Sequence, residues 1–240
     1  MTVLSLRNLV KIYNGKRVVD AVDLDIYSGN VVGLLGPNGA GKTTTFYMTV
    51  GLIRPDHGDV FLDEENITGH PMHQRARKGI GYLPQEASVF GKLTVYQNIM
   101  AILETLTSNK YEQKQKAEAL LEELGIHRLM QQKAGLLSGG ERRRLEISRA
   151  LATDPSFMLL DEPFAGIDPL AVIDIQNIIH HLSDRGIGVL ISDHNVRETL
   201  GVCDQAYILS DGRIIESGTP DVIAESPTAR QIYLGDHFRL

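Results

Sequence analysis

The feature that most constrains this chain is a glycine-rich segment between an apolar run and a helical pattern. The segment Gly36-Pro37-Asn38-Gly39-Ala40-Gly41-Lys42-Thr43 follows the run Val31–Leu35 and precedes a helical pattern at residues 43–51. That spacing in that setting is typical of a phosphate-binding loop, whereas an ordinary glycine-rich turn has no need of the two flanking elements. Its glycines let backbone N–H groups turn towards phosphate oxygens, where the helix N-terminus adds partial positive charge. The segment predicts a nucleotide-binding α/β fold.

Two side chains of this loop have the chemistry to hold ATP and its metal ion. Lys42 is predicted to reach the β and γ phosphates, and Thr43 to give its hydroxyl to Mg²⁺. We therefore expect ATP and Mg²⁺ as cofactors. The predicted nucleotide-binding residues of the loop are Gly36, Pro37, Asn38, Gly39, Ala40, Gly41, Lys42, Thr43 and Thr44.

A later apolar run, residues 157–160, ends in the acids Asp161 and Glu162. If the run is a strand of a parallel sheet, both acids emerge at its carboxyl edge, where ligands bind in open α/β folds. Asp161 is then placed to hold Mg²⁺, directly or through water. Glu162 projects in a different direction and is the candidate general base for the attacking water. Taken alone, two acids at a strand end are more often simple caps.

The order of strand and helix patterns predicts the fold class. Strand patterns occur at residues 3–9, 18–26, 31–35, 157–160, 188–192 and 206–209. Helical patterns follow three of them, at residues 43–51, 170–182 and 195–202. This alternation predicts an α/β fold of the P-loop type with a mainly parallel sheet. In the early part, where residues 18–26 neighbour 31–35 and 60–62, short strands with glycine-bearing turns predict a small antiparallel layer.

The middle of the chain has a different pattern. Between residues 92 and 153 the strand patterns disappear and helical patterns take over, at residues 95–105 and 111–124. At 240 residues the chain is too short for two independent α/β domains. We therefore expect one nucleotide-binding domain over residues 1–240. Its core and β layer would comprise residues 1–91 and 154–240, and an inserted helical subdomain residues 92–153.

The composition excludes several classes of function. Apolar residues form 42% of the chain, but no run approaches the roughly 18 consecutive apolar residues of a membrane span. A formal net charge of −6 without a basic tail argues against a nucleic-acid partner. Cys203 is the single cysteine, so no internal disulfide can form, and the first nine residues lack the pattern of a secretion signal. These features predict a cytosolic location.

A third motif, Leu137-Ser138-Gly139-Gly140-Glu141, lies between the phosphate loop and the acid pair, ahead of a helical pattern at residues 142–150. With these three motifs the chain resembles the ATP-binding-cassette (ABC) transporter ATPases over its whole length. The resemblance implies ATP hydrolysis coupled to transport by a head-to-tail homodimer that closes on ATP. Each ATP would lie between one chain's phosphate loop and the other chain's Ser138, Gly139 and Gly140. Amides at a helix N-terminus suit such a second anion site.

Four further positions resemble functional residues of that family. Tyr13 resembles the aromatic that stacks on adenine, and Gln85 the glutamine that links Mg²⁺ to the membrane partner. His194 resembles the switch histidine that contacts the γ phosphate and orients Glu162. Asp168 resembles the aspartate that couples the two sites across the dimer, in a segment that departs from the family's commoner form. As isolated residues, Tyr13, Gln85 and His194 would be an edge aromatic, a loop glutamine and a structural histidine, so their assignment depends on the whole set.

The segment after Gly140 carries a departure from the family and an ambiguous charge cluster. Glu141 replaces the usual glutamine and adds a negative charge at a nucleotide-facing turn, so we expect an effect on rate or ATP affinity. The cluster, which has the composition of a nucleic-acid patch, comprises Arg142, Arg143, Arg144 and Arg149. At helical spacing these side chains point to different faces, which favours a solvated or intersubunit role.

Longer segments resemble the branch of the family formed by the ATPases of bacterial lipopolysaccharide exporters; they are residues 81–90, 138–144, 193–200 and 235–240. This implies a peripheral protein on the cytoplasmic face of the inner membrane that drives lipopolysaccharide extraction and export to the outer membrane. Two permease subunits would dock near Gln85, Phe90 and Tyr96, with Phe90 as apolar anchor unless it is a core aromatic, and the chain itself would not enter the membrane. The alternatives are the ATPase of a branched-chain amino-acid importer and a soluble ABC protein without a permease.

Overall fold

A computed structural model describes residues 1–166, 169–235, 238 and 240, with 169 and 170 described by their backbone. Its strands are β1 Val3–Tyr13, β2 Lys16–Tyr27, β3 Val31–Leu35, β4 His57–Leu62, β5 Glu65–Asn66, β6 Ile80–Leu83, β7 Phe157–Asp161, β8 Gly188–Ser192, β9 Gln205–Ser210 and β10 Arg213–Gly218. Its helices are α1 Lys42–Val50, α2 Met72–Arg77, α3 Val95–Leu106, α4 Lys110–Glu123, α5 Gly139–Leu151, α6 Pro169–Asp184, α7 Val196–Leu200, α8 Pro220–Glu225 and α9 Pro227–Ala229. Single turns lie at His127–Leu129, Ala134–Leu136 and Arg230–Leu234.

Within the described residues the strands form two sheets. The larger has the order β10-β9-β3-β8-β7-β6, and β9, β3, β8, β7 and β6 run parallel, with β10 antiparallel at one edge. The smaller sheet is antiparallel, in the order β2-β1-β4-β5. The predicted α/β fold with a mainly parallel sheet and an antiparallel layer is therefore confirmed. The layer contains residues 18–26 and 60–62, whereas 31–35 is a central strand of the parallel sheet.

The parallel sheet is covered on both faces, which explains why its central strands read as continuous apolar runs. Every residue of β3, β7 and β8 is buried. Alternate side chains point to opposite faces, as in any strand. In β7, Phe157 and Leu159 pack against α1 and the smaller sheet, whereas Met158 and Leu160 pack against the helical side. The main sheet therefore lies between two apolar cores and contributes side chains to both.

The helical segment is held together by local caps and by the second of these cores. Thr94 begins α3 with a capping box, Asn109 caps α4, and Ser138 caps α5. Apolar side chains of all three helices join the same buried cluster as β7 and β8. The division of the chain into a core and a helical subdomain at residues 92 and 153 stays a prediction. None of the helices in the described part of the chain has the length and apolar character needed to span a membrane.

Arg75, on α2, joins α1 to the segment between β5 and α2, although the sequence analysis gave it no role. Its side chain is 1% exposed. The guanidinium donates to four backbone carbonyls, at 2.8 Å to His70, 2.8 Å to Met48, 2.7 Å to Thr49 and 3.0 Å to Thr68. Two of these carbonyls belong to the last turn of α1, where a cation interacts favourably with the helix dipole. Burial lowers the pKa of Arg75 to about 10, so it stays charged at neutral pH.

Replacing Arg75 by leucine should destabilise the fold by about 3 kcal/mol, because four carbonyl oxygens, two of them in buried hydrogen bonds, lose their donors. Urea unfolding at neutral pH measures the change. The matched control is Arg77→Leu in the same helix, where the side chain is exposed and a change within about 0.5 kcal/mol is expected. Equal losses in the two variants would contradict this role of Arg75.

Candidate functional site

The topology brings the ends of four neighbouring strands to one edge. Because β3, β8, β7 and β6 are adjacent and parallel, their carboxyl ends lie together. The loops that follow these ends contain the residues predicted from sequence. They are the glycine-rich loop after β3, His194 after β8, Asp161 and Glu162 at the end of β7, and Gln85 after β6. Ligands of open α/β folds bind at this edge.

The glycine-rich loop is tightly enclosed by neighbouring backbone. A Cβ atom on Gly36 would lie 2.0 Å from the carbonyl oxygen of Leu209, and one on Gly41 would lie 2.4 Å from that of Val18. Both glycines also have positive φ, at 148° and 105°. Any other residue at either position would push the loop away from β9 or β2, so these two glycines fix the course of the loop before α1 begins.

Lys42 and Thr43 open α1 with opposite exposures. Lys42 is 9% exposed, and its Nζ donates to the carbonyl oxygens of Gly36 at 2.6 Å and Pro37 at 3.0 Å. Burial lowers the pKa of Lys42, while the charges of Glu162, Asp193 and Asp161 act in the opposite direction. The Thr43 side chain is exposed at the same helix start. The ammonium therefore lies inside the loop and the hydroxyl faces outward.

Asp161 is a buried carboxylate at the end of β7. It is 5% exposed, and the hydroxyl of Tyr82, on β6, donates to it at 3.4 Å. Burial, reinforced by the neighbouring charge of Glu162, raises the pKa of Asp161 to about 6. The anion is thus costly at neutral pH, and a cation bound here would offset that cost. Tyr82 was missed as a site residue, although it lies only three positions before Gln85.

Glu162 is held by the end of β8 and by side chains from the loops after β6 and β8. Its backbone has φ of 46°, uncommon for a residue with a side chain, and its N–H donates to the Ser192 carbonyl at 2.6 Å. Gln85 Nε2 donates to Glu162 Oε2 at 2.7 Å, and His194 Nδ1 lies 3.5 Å from the same oxygen. Strained backbone is often found where a structure positions a reacting group. The structure brings the predicted base, glutamine and histidine together.

Asp193 organises the loops around this group and was also missed by the sequence analysis. It is 0% exposed. Its two oxygens accept from the backbone N–H of Phe164 at 2.9 Å and of Asn195 at 2.8 Å. His194 Nδ1 lies 3.5 Å from Asp193 as well as from Glu162. The loops after β7 and β8 are therefore tied together by one buried carboxylate.

The donors at this edge fit Mg²⁺ better than a transition metal. The oxygen donors are the Thr43 hydroxyl, the Asp161 carboxylate and the Gln85 amide oxygen, whose NH₂ group is engaged by Glu162. Hard oxygen donors in small number suit Mg²⁺, which keeps waters and phosphate oxygens as its other ligands. In the described part of the chain no group of three or more His, Cys, Asp or Glu side chains is arranged to hold a metal.

Four other predicted residues, Tyr13, Ser138, Gly139 and Gly140, lie on elements other than these loops. Ser138 caps α5, with Gly139 and Gly140 in its first turn. Tyr13 ends β1 beside the turn into β2; it is 43% exposed, and the Lys11 ammonium lies 5.5 Å from its ring centroid. Asp168 lies outside the described residues. The phosphate-loop edge and the α5 edge are thus separate surfaces of the chain.

The arginines of α5 correct part of one interpretation, because Arg143 is buried and does not lie on a solvated face, while the intersubunit role stays a prediction. Arg143 is 8% exposed, with its guanidinium 3.2 Å from Glu146 and 3.1 Å from the Pro84 carbonyl. Arg149 donates to the Ser88 carbonyl, and its guanidinium lies 4.6 Å from the ring centroid of Phe90. Glu146 accepts from the Ser88 N–H at 2.8 Å. Much of this cluster therefore fixes the segment 84–90 that follows β6.

Phe90 and Tyr96 differ in exposure. The Phe90 side chain is 48% exposed, so it is not a core aromatic. Tyr96 is partly buried against the helical cluster. Beside this segment a groove of about 310 Å³ runs between α2, β6, α3 and α5, with Ile80, Leu83 and Ile102 among its apolar lining residues. The structure thus leaves the Phe90 ring half-exposed near this groove.

The raised pKa of Asp161 gives a pH-dependent prediction for stability. Because the folded-state value of about 6 exceeds the ordinary 3.8, protonated Asp161 favours folding at low pH, and this contribution is lost as pH rises through about 6. Asp161→Asn should therefore stabilise the chain by about 3 kcal/mol at pH 8 and by about half as much at pH 5. Urea unfolding at both pH values measures it, with the exposed Asp184→Asn as control. A gain that is the same at pH 5 and pH 8 would contradict the prediction.

Comparisons with known proteins by family, by sequence and by structure all find ATP-binding proteins of ABC transporters. Residues 19–165 match the ABC transporter family. The chain is 56% identical to the lipopolysaccharide export system ATP-binding protein LptB of Escherichia coli K12, covering 100% of both chains, and 56% identical to LptB of Acidithiobacillus ferridurans, covering 99% of this chain and 98% of that one. The ADP conformation of MJ1267, an ATP-binding cassette of an ABC transporter, superposes with a TM-score of 0.88 at 30% identity, covering 98% of this chain and 100% of that one.

Proposed function

The chain belongs to the ABC transporter family as an ATP-binding ATPase subunit, and we propose that it powers lipopolysaccharide export. The observation that carries the proposal is the 56% identity over full length to relatives named as lipopolysaccharide export system ATP-binding proteins. In this proposal two copies lie under two permease subunits at the cytoplasmic face of the bacterial inner membrane. Closure of the two copies on ATP drives lipopolysaccharide out of that membrane and on towards the outer membrane.

The positions of the residues at the strand edge support a separate role for each of them in ATP binding and hydrolysis. Glu162 accepts the proton of the water that attacks the γ phosphate, and its bond from Gln85 and the nearby His194 hold the carboxylate in place. Lys42 and the backbone amides of the glycine-rich loop stabilise the charge that develops on the phosphate oxygens. Tyr13, at the edge of the β1–β2 turn, offers a ring on which adenine can stack.

Magnesium would be held by Thr43 and Asp161, with Gln85 as a further oxygen donor. When bound, the ion neutralises phosphate charge and helps to orient the phosphates. The raised pKa of Asp161 supports this assignment, because burial alone makes its anion unfavourable. Asp161, Glu162 and Asp193 together place concentrated negative charge beside the phosphate loop, which a divalent cation would balance.

The dimer completes the nucleotide site. Ser138, Gly139 and Gly140 form the N-terminus of a 13-residue helix, where unpaired amides and the helix dipole favour a phosphate. This surface lies on α5, apart from the phosphate loop, so the proposal places it over the nucleotide of a second copy. Asp168 keeps its proposed role of coupling the two sites. A dimeric post-hydrolysis structure of the cassette MJ0796 bound to ADP and Pi has the same fold, with a TM-score of 0.78 at 24% identity over 90% of this chain and 98% of that one.

The permease surface would lie on the segment from Gln85 to Phe90 and on the start of α3 at Tyr96. Phe90 offers an exposed aromatic anchor, and the neighbouring groove can take a short helix of the partner. The Gln85 bond to Glu162 links this surface to the hydrolytic group. Docking and catalysis would therefore share one loop.

The decisive experiment identifies the membrane partner. A tagged chain is purified from its native membranes in mild detergent, and the proteins and lipids that copurify are identified by mass spectrometry. Two permeases with large periplasmic domains and bound lipopolysaccharide are the expected result. Recovery of an amino-acid permease would leave the ATPase assignment intact and change the transported substrate. Recovery of ribosomes, or of no membrane protein, would overturn the transport function. Phe90→Ala, which removes the anchor, should lower permease recovery and serves as the internal control.

A further inference from the structure

The cap of α5 uses the hydroxyl that the proposed dimer needs, and this inference rests on that dimer. Ser138 Oγ donates to Glu141 Oε2 at 2.8 Å, and the Ser138 N–H donates to the same oxygen at 3.0 Å. A serine hydroxyl has one hydrogen to donate. While Glu141 holds both donors, Ser138 offers neither of them to a phosphate.

Glu141 also carries a charge of the same sign as the expected ligand. The hydrogen bonds from Ser138 lower the pKa of the Glu141 carboxyl, so it is ionised at neutral pH. It lies in the first turn of α5, at the end of the helix that would meet a γ phosphate. A carboxylate and a phosphate that compete for the same donors also repel each other. A glutamine would keep the cap through its amide oxygen and remove the charge.

The structure also provides a second place for this carboxylate. The Arg128 guanidinium lies 3.6 Å from Glu141 Oε1 while Ser138 donates to Oε2, so Arg128 already pairs with one oxygen and can hold the whole carboxylate once Ser138 is released. Between them and Gly140 is an open cavity of about 370 Å³, which leaves room for the side chain to turn. Arg144, on the same cavity, is engaged by Asp174 at 2.9 Å and by the Leu124 carbonyl at 3.0 Å. Arg128 is therefore the nearer cation for a Glu141 that leaves Ser138.

We propose that Glu141 is a latch on Ser138 that sets the ATP concentration at which two chains close. In the single chain the carboxylate occupies the Ser138 donors. On closure it turns to Arg128, and the hydroxyl and N–H of Ser138 pass to the γ phosphate bound by the other copy. After hydrolysis and phosphate loss the carboxylate returns to Ser138, which favours opening. Glu141 is thus a positioning residue that acts through Ser138.

The test measures closure directly, in the Glu162→Gln chain so that ATP persists. Sedimentation velocity gives the ATP concentration for half-maximal dimer, and a fluorescent ATP analogue gives binding to the single chain. Glu141→Gln should lower the half-point about tenfold, and Arg128→Ala should raise it about threefold, with single-chain binding unchanged. In the double variant Arg128→Ala should have no further effect, because Glu141→Gln has already removed the negative charge that the Arg128 guanidinium attracts.

Two results would overturn the latch. One is a half-point in Glu141→Gln equal to or above that of the Glu162→Gln chain. The other is an Arg128→Ala effect that persists at full size in the double variant. Thermal unfolding of each variant checks that the cap of α5 is kept. If the Glu162→Gln chain forms no dimer at any ATP concentration, the ATP-closed dimer of the proposed function fails, and the latch fails with it.

Discussion

Glu162→Gln should lower ATP turnover by about 10²- to 10⁴-fold while leaving ATP binding intact. The amide is nearly isosteric with the carboxylate but accepts no proton from water. Lys42 and the loop amides that face the phosphates are unchanged. The variant should therefore bind ATP and accumulate as the closed dimer.

Phosphate release at saturating ATP measures the loss, and gel filtration with and without ATP measures the dimer. The control is Glu64→Gln, an exposed acid in the turn between β4 and β5, which should hydrolyse ATP at the parent rate. Hydrolysis within about threefold of the parent in Glu162→Gln would remove Glu162 as the base. Asp161 would then be the next acid to test, since it lies at the same strand end.

Lys42→Ala should raise the dissociation constant for ATP by about 100-fold or more. Lys42 is 9% exposed, and its ammonium donates to carbonyls of the glycine-rich loop. A bound phosphate would replace those carbonyl contacts with stronger charge-assisted ones. Alanine removes the cation and leaves the loop without its central contact. The variant should therefore lose affinity for ATP, which is a step that precedes hydrolysis.

Isothermal titration with ATP and Mg²⁺ measures this loss. Lys110→Ala, which removes an exposed cation at the start of α4, is the matched control and should bind as the parent does. Together with Glu162→Gln, the variant separates two steps, because one loses binding and the other loses turnover. Unchanged ATP affinity in Lys42→Ala would contradict the assignment of Gly36–Lys42 as the phosphate site.

Several elements escaped sequence analysis for a common reason. β6 is only four residues long and contains Gly81, so its pattern is too short to distinguish from a loop. Its strand conformation depends on pairing with β7, more than seventy residues later. β10 is an edge strand with mixed burial, and α2 is a single short helix. In each case tertiary contacts supply the stabilisation that local sequence does not.

In the candidate site, too, some residues could be predicted from local sequence and others depend on tertiary contacts. The glycine-rich loop, the acid pair and the Ser-Gly-Gly motif are contiguous in sequence, and their strand and helix settings could be predicted from neighbouring residues. Tyr82 and Asp193 were missed because one phenol and one more acid carry no signal without their partners. Arg143 and Arg149 were assigned to a solvated or intersubunit face because helical spacing predicts the direction of a side chain but not the residues that it contacts.

The sequence alone determined the fold class and the place of the glycine-rich loop between a strand and a helix, because periodic apolar runs and a glycine spacing act over a few residues. Only the tertiary structure decided that Gln85 reaches Glu162, 77 positions away, and that His194 joins them. It also decided the left-handed backbone of Glu162 and the four carbonyls around Arg75. These features depend on the order of strands in the sheet, which brings distant loops to one edge and is not encoded in any single stretch of the chain.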